Sequence, residues 1–542
     1  MLAKGIYWCK DCGVPLIGTK CNICGTEGTY SCNDMRLIFP QEHIFLEKKF
    51  KTKLPKPLFY SRGRYIYNGK TFGSLKMDGE PSFKLAKESN KIELKDDIEF
   101  DRYKELFVQA NLPYIKEIEE EAVDYVRKIV EEHGDYGTYV AFSGGKDSTV
   151  VADIAKKALG NVKLFFGDTT IEFPDTYEYI ERLKRDESFE FEIWKSDKNF
   201  FESMKDLDPP SQKMRWCCTV FKAVPLNNFL TSNDFANEDD LINEIRDKNR
   251  IKKILFFDGI RKAESSSRSK YERESGNKKA SRQITARPIL EWSSLAVWAY
   301  IFYSGIDYNR LYEKGYGRAG CMYCPYNTKY DDYLLKELYT EEWSNFQDGL
   351  KEYLLRTYTD KFEEYQYHIW LNNGWKYRLP HRKSNFKASV FCSPNSASST
   401  YKFDCEVNDE IIEFMKPLGD VKIHELNTRK KFVVKKDGVF SLAGVVGADN
   451  IIFNVDNPKD KYKLKINLEK QIRKFMNCVH CGGCVGICPF GAISVKDNSY
   501  TIDESKCKGE KCQICIKTKF AGANCVSLSY KGELDKIEAI KV

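Results

Sequence analysis

Nineteen cysteines stand among the 542 residues, and in a long intracellular chain tight cysteine spacings point to metal or cluster ligands rather than disulfides. Cys9, Cys12, Cys21 and Cys24 read Cys-x2-Cys-x8-Cys-x2-Cys. These two thiolate knuckles can close a tetrahedral S4 site, which suits zinc, with iron as the alternative. A ribbon so short cannot bury enough apolar area to fold alone, so the metal would supply its folding free energy. Near the other end, Cys478, Cys481, Cys484 and Cys488 precede Pro489 in a compact run that suits a 4Fe-4S cluster. Cys507, Cys512, Cys515 and Cys525 follow with wider spacing and no closing proline. Between these ends lies the hexapeptide Ser143-Gly144-Gly145-Lys146-Asp147-Ser148.

The elements around that hexapeptide make it an anion site. Tyr139 to Phe142 reads as a short apolar strand, and Val150, Val151, Ile154, Ala155 and Leu159 line a helix that Gly160 stops. A glycine turn between strand and helix start lets backbone N–H groups approach phosphate oxygens, and the helix dipole favours negative charge there. The serine hydroxyls and Lys146 add donors. The Walker spacing is missing.

The hexapeptide resembles the PP-loop of the adenine nucleotide alpha-hydrolase superfamily, and further segments follow in order. Strand Lys163 to Phe166 leads to Asp168-Thr169 and Phe173-Pro174-Asp175-Thr176-Tyr177, and then comes Trp216-Cys217-Cys218 with Lys222 and Pro225-Leu226. Strand Ile254 to Phe257 enters Gly259-Ile260-Arg261-Lys262-Ala263-Glu264-Ser265 and Arg268, then Arg287-Pro288-Ile289, Trp292, Val297-Trp298 and Gly320-Cys321-Met322-Tyr323-Cys324-Pro325. Over about residues 110 to 330 this set resembles the phosphoadenosine phosphosulfate (PAPS) and adenosine phosphosulfate (APS) reductase family. The resemblance implies a parallel-sheet α/β core in which Ser143, Gly144, Gly145, Asp147 and Ser148 form the phosphate loop and Asp168 and Thr169 the nucleotide-side segment. Arg261, Ser265 and Arg268 then belong to an arginine loop at the anionic end, where guanidinium forks pair with phosphate or sulfate oxygens. It also implies that Cys217, Cys218, Cys321 and Cys324 bind a 4Fe-4S cluster. Adjacent cysteines chelate zinc poorly but reach separate irons.

The run ending in Cys488-Pro489 resembles bacterial-type ferredoxins, in which the fourth cysteine of each run crosses to the other cluster. On that pattern Cys478, Cys481, Cys484 and Cys525 hold one 4Fe-4S cluster, and Cys507, Cys512, Cys515 and Cys488 hold the other. The tail then serves as a resident one-electron donor, itself fed by an external donor.

Two departures from the reductase pattern stand out. Family reductases attack the sulfonucleotide with a cysteine in a Glu-Cys-Gly motif, which is absent here. The cysteines left unassigned are Cys32, Cys392 and Cys405; Cys392 and Cys405 lie beyond the core and are the candidate nucleophiles, although neither has an activating neighbour. The loop itself, SGGKDS, fits members that split ATP between the alpha and beta phosphates. The leading expectation is reduction of PAPS or APS to sulfite and adenosine phosphate. The alternatives are ATP-dependent thiolation of tRNA or another nucleic acid, and a nucleotide-binding iron-sulfur sensor.

A net charge of +7 with 42% hydrophobic and 30% charged residues permits polyanionic partners without requiring them. Residues 48–67 interleave Lys48, Lys49, Lys51, Lys53, Lys56, Arg62 and Arg64 with Phe50, Phe59, Tyr60, Tyr65 and Tyr67. That pattern suits an RNA-binding module or a β unit with a lysine-rich edge. Lys376, Arg378, His381, Arg382, Lys383 and Lys387 read as a second basic stretch or a solvated loop. The expected layout is a zinc ribbon at 1–40, a β-rich unit at 41–105 and the PP-loop domain at 106–330. A helical extension at 331–395, a small α/β linker domain at 396–465 and the ferredoxin domain at 466–542 follow. No run approaches the roughly 20 apolar residues of a membrane span, and the N-terminus lacks a secretory signal, so a cytoplasmic protein is expected.

Overall fold

The computed structural model describes residues 5–232 and 253–517 except 78–79, 88, 90–91, 93–97, 135–136, 278–279, 359–363, 378–388, 393–397, 403–406, 428, 448–449, 456–460, 477, 479, 481, 486–487 and 489. The chain divides into two compact units. One comprises Met1–Trp194, Lys252–Asn277 and Gln283–Gln347; the other comprises Lys195–Ile251, Lys278–Arg282 and Asp348–Val542.

In the first unit, β1 (Ile6–Cys9), β2 (Val14–Leu16) and β3 (Thr29–Cys32) form an antiparallel ribbon in the order β2-β1-β3. Next come β4 (Arg36–Leu37), helix α1 (Pro40–Phe50), β5 (Phe59–Ser61), β6 (Arg64–Tyr67), β7 (Lys70–Lys76) and β8 (Ser82–Leu85). Strands β4 to β8 pair in sequence order as an antiparallel sheet. Its core includes Leu46, Leu58, Tyr65, Tyr67 and Phe72. Helix α2 (Phe100–His133) starts before the expected boundary at 105, capped by the Glu99 carboxylate on the Arg102 amide. Its buried face carries Phe107, Asn111, Ile115 and Val126. That spacing follows the helical period.

Strand β9 (Thr138–Ala141), helix α3 (Lys146–Leu159), strand β10 (Val162–Asp168), helix α4 (Pro174–Leu183), β11 (Phe189–Lys195), β12 (Ile254–Phe257), β13 (Glu274–Asn277) and β14 (Ala280–Ala286) build the α/β core. Its sheet runs β11-β10-β9-β12-β14-β13, and the pairs β10–β9, β9–β12 and β12–β14 are parallel. The wholly buried run Ile-Leu-Phe-Phe of β12 is what a strand covered on both faces requires. Ser293 caps the helix Ser294–Ser304, which packs with α2 and α3.

The second unit holds β15 (Ser389–Cys392), β16 (Ser398–Lys402), β17 (Asp420–Leu426), β18 (Arg429–Lys436), β19 (Val439–Val446) and β20 (Asn450–Val455). They form one sheet in the order β15-β16-β20-β19-β18-β17, and the paired strands resolved in register are antiparallel. Where the sequence predicts an α/β linker domain at 396–465, the described residues are mostly antiparallel sheet, with the short helix Ile411–Met415. Among the described residues this sheet shares its core with neighbouring elements. Phe414, Phe432 and Phe453 share one buried cluster with Leu468 of the helix Lys461–Met476, with Cys488, and with Tyr500 of the hairpin β21 (Ile493–Lys496) and β22 (Ser499–Ile502).

Candidate nucleotide and metal sites

The hexapeptide adopts the expected strand-turn-helix form. Gly145 caps α3 from an extended backbone, and Gly144 takes the left-handed φ of +69°. A Cβ on Gly144 would lie 2.7 Å from Thr176 Cγ2, so only glycine fits. The Ser143 amide donates to Ser148 Oγ (3.2 Å), which donates to the Gly145 carbonyl (2.9 Å). The Lys146 amide donates to the Tyr312 hydroxyl at 2.9 Å. Asn309 Nδ2 donates to the Gly144 carbonyl (3.0 Å) and to Thr176 Oγ1 (2.9 Å). Among the described residues, Gly144 and Gly145 are left as loop amides with no protein acceptor. Backbone donors of this kind at a helix start bind oxyanions.

The charged side chains do more structural work than the sequence suggests. Asp147 accepts from Lys146 Nζ at 2.9 Å and from Arg261 Nε at 2.7 Å. Burial alone would raise its carboxyl, but Arg261 and then Lys146 outweigh that and hold it at about 2. Lys146 and Arg261 are each 3% exposed, and Arg261 Nη1 also donates to the Trp292 carbonyl at 3.3 Å. Both cations, expected as ligand donors, are thus engaged within the protein and clamp the loop. Gly259 lies against the same helix start: a Cβ there would be 2.7 Å from the Asp147 carbonyl carbon and 2.8 Å from the Ser148 nitrogen. Ser265 accepts from the Arg268 amide (3.2 Å), and Arg268 pairs with Glu264. Asp258, which no motif marked, follows β12 beside Arg287 Nε (3.4 Å). Burial pushes its carboxyl up to about 6 against the pull of Arg287.

On the other side of the loop, Asp168 Oδ1 accepts from the Thr170 amide and the Tyr177 hydroxyl, each at 2.8 Å. Thr169 Oγ1 donates to Glu172 at 2.7 Å and lies 3.6 Å from Cys321 Sγ. The Met322 amide donates to the Ile171 carbonyl at 2.9 Å. The Asp168-Thr169 segment and the Cys321–Cys324 turn are therefore neighbours. Cys217 and Cys218 belong to the other unit. There the Cys217 thiol, followed by the cations of Arg215 and Lys222, pulls Cys218 down to about 4 despite burial.

The Cys9, Cys12, Cys21 and Cys24 sulfurs all lie within 4.8 Å of one another, a spacing that fits one metal ion. Burial, then the neighbouring thiols, pushes Cys9 up to about 11. In the second unit Cys488, Cys507, Cys512 and Cys515 line one cavity with Pro417, Phe490 and Ile502. Cys478 and Cys484 pack against the neighbouring core, while Cys481 and Cys525 lie outside the described residues. Of the candidate nucleophiles, Cys392 ends β15 and Cys405 lies outside the described residues.

The aromatic residues proposed as base-stacking platforms are mostly core. Phe59, Tyr65 and Tyr67 are buried, Phe50 packs on Phe83, and Tyr60 sits between Tyr65 and Arg36. Lys48 and Lys49 are helical, in α1. Lys376 is buried, and Arg378, His381, Arg382, Lys383 and Lys387 lie outside the described residues.

Residues 137–327 match the phosphoadenosine phosphosulfate reductase domain family. Two uncharacterised proteins of Methanocaldococcus jannaschii are 35% and 30% identical over 46% and 48% of this chain. The chain spans about half the length of these relatives, 48% and 59% respectively. An adenosine 5'-phosphosulfate reductase of Anoxybacillus flavithermus is 25% identical over 34% of this chain and 71% of its own. The crystal structure of a PAPS reductase from Candida auris covers 39% of this chain and 95% of its own, at 18% identity and a TM-score of 0.29. The matched stretch includes the parallel strands β9, β10, β12 and β14 of the α/β core. Among the described residues no helix is long and apolar enough to cross a membrane.

Proposed function

We propose that the protein is a cytoplasmic sulfonucleotide reductase-like enzyme that cleaves PAPS or APS to sulfite and the adenosine phosphate. The observation that supports this best is the reductase-domain match over 137–327 falling on a loop with two uncommitted amides at a helix start. In this reading Ser143, Gly144, Gly145 and Ser148 hold the anionic tail. Asp147, Lys146 and Arg261 keep the loop in shape, and Asp168 and Thr169 flank the nucleotide. Ser265 and Arg268 meet the sulfate end. The bond between sulfur and the bridging phosphate oxygen breaks, that oxygen leaves with the adenosine phosphate as its anion, and two electrons from the external donor bring sulfur from the sulfate to the sulfite level. Cys392 and Cys405 remain the candidate sulfur nucleophiles.

Zinc at Cys9, Cys12, Cys21 and Cys24 is structural in this reading. We assign Cys217, Cys218, Cys321 and Cys324 to one 4Fe-4S cluster. Cys478, Cys481, Cys484 and Cys525 form a second set of cluster ligands, and Cys507, Cys512, Cys515 and Cys488 a third. Such clusters supply one electron at a time from an external donor. The cavity lined by Cys488, Cys507, Cys512 and Cys515 supports the third set.

The intact SGGKDS loop and the missing Glu-Cys-Gly favour a second reading, ATP-dependent thiolation of a nucleic acid. The burial of Phe59, Tyr65 and Tyr67 weighs against RNA binding through residues 48–67. Anaerobically reconstituted protein given PAPS, APS, or ATP with tRNA separates the cases. Sulfite release is the expected result; tRNA-dependent AMP formation would replace reduction with thiolation, and binding without turnover would leave a sensor.

A further inference from the structure

A buried ion pair lies outside the matched domain and is wired into its phosphate loop. Arg36 on β4 and Glu42 on α1 are 8% and 0% exposed. Their fork is bidentate, with Nη1 to Oε2 at 2.6 Å and Nη2 to Oε1 at 2.7 Å. The same Nη2 donates to the Gly315 carbonyl at 3.0 Å. Gly315 has a left-handed φ of +101°, and a Cβ on it would lie 3.2 Å from Glu42 Cδ. It closes the turn Arg310–Lys314, which Asn309 caps. Asn309 holds the Gly144 carbonyl, and Tyr312 in the same turn accepts the Lys146 amide.

A second contact from the same segment reaches the domain. The Asp34 carboxylate accepts from the Ser294 and Leu295 amides at 2.9 and 3.3 Å, at the start of the helix packed on α3. A buried charge pair contributes little net stability compared with a well-packed apolar pair, so its value lies in fixing geometry. The guanidinium's planar fork is suited to that, since it binds one carboxylate and one carbonyl in a single orientation.

We propose that Arg36 and Glu42 are positioning residues for the phosphate loop, acting through Gly315 and Tyr312 on the Lys146 amide and so on the anion-binding backbone. This rests on the nucleotide reading of the 143–148 loop. The test is the affinity of the full-length protein for APS and ATP, measured by calorimetry on Glu42→Gln, Tyr312→Phe and the double variant, with thermal melting and bound metal recorded alongside. Glu42→Gln and Tyr312→Phe are each expected to weaken binding about tenfold, and the double variant by clearly less than the product, as coupled residues do. Arg36→Lys, which keeps the charge but not the fork, is the second variant should Glu42→Gln not fold, and it is expected to weaken binding to the same degree. Wild-type affinity in folded Glu42→Gln or Arg36→Lys, or multiplying effects, would overturn the proposal even if melting temperatures fell. A wild-type protein that binds neither APS nor ATP would overturn the nucleotide reading and the coupling with it.

Discussion

Asp147 is the residue on which the loop's charges balance. It accepts from two cations that are each 3% exposed, and removing one partner of a buried pair typically costs about 3–5 kcal/mol. Asp147→Asn is therefore expected to lower stability by about that much in denaturant melts and to weaken nucleotide binding at least tenfold. Its carboxyl is held at about 2 from an ordinary 3.8. The corresponding stability, about 2 kcal/mol, is present above pH 4 and lost as pH falls toward 2. Asp258 has the opposite sign. With its carboxyl at about 6, the folded state holds the proton more tightly, so stability should decline as pH rises from about 4 to about 6. Asp258→Asn should remove that slope, read from unfolding curves across the range; an unchanged slope would assign it to other groups. Glu264, Arg268 and Arg287 also bear on this carboxyl. The hexapeptide's strand-turn-helix form was legible because its residues are contiguous. The partners that shape it were not, because Arg261 and Tyr312 lie 114 and 166 residues from the groups they bind and no local motif encodes such pairings.

The strand-turn-helix unit was readable at the element scale because hydrophobic periodicity changes from a short apolar strand to a helical stripe across two glycines. Strand β12 begins and ends where its apolar run does, at Ile254 and Phe257. The β-rich unit was readable as β but not as to which face its aromatics cover. Tyr65 and Tyr67 fill its core, and alternation alone does not say which side meets solvent. Between elements, Gly259 lies directly against the backbone of the first turn of α3. Gly259→Ala forces a Cβ onto backbone atoms that cannot swing aside and is expected to cost about 1–3 kcal/mol. APS binding should fall at least tenfold while metal at Cys9, Cys12, Cys21 and Cys24 stays. Calorimetry with elemental analysis checks both, and unchanged binding would show that α3 can shift without harm.

For the whole molecule, anaerobically prepared protein should carry about one zinc, with about eight iron atoms if two clusters form or about twelve if three do. Cys9→Ser should abolish the zinc while leaving the iron, by elemental analysis. The ribbon is tied to α2 by Asn111, which accepts from the Ile17 amide at 2.7 Å and donates to the Pro15 carbonyl at 3.0 Å. Loss of zinc should therefore expose the N-terminal half of that helix to faster hydrogen exchange. The division into units was less legible, because cysteine spacing marks a tail starting near 466 and says nothing of what covers it. In the fold Phe414 stacks on Tyr500 with ring centroids 4.2 Å apart, and Glu410 and Glu413 accept the Tyr500 and Ile502 amides. The consequence is genetic as much as mechanical. A gene fragment beginning at codon 466 would encode a sticky, half-clothed peptide, so recombination could not trade this cysteine-rich tail between proteins without carrying the preceding sheet along.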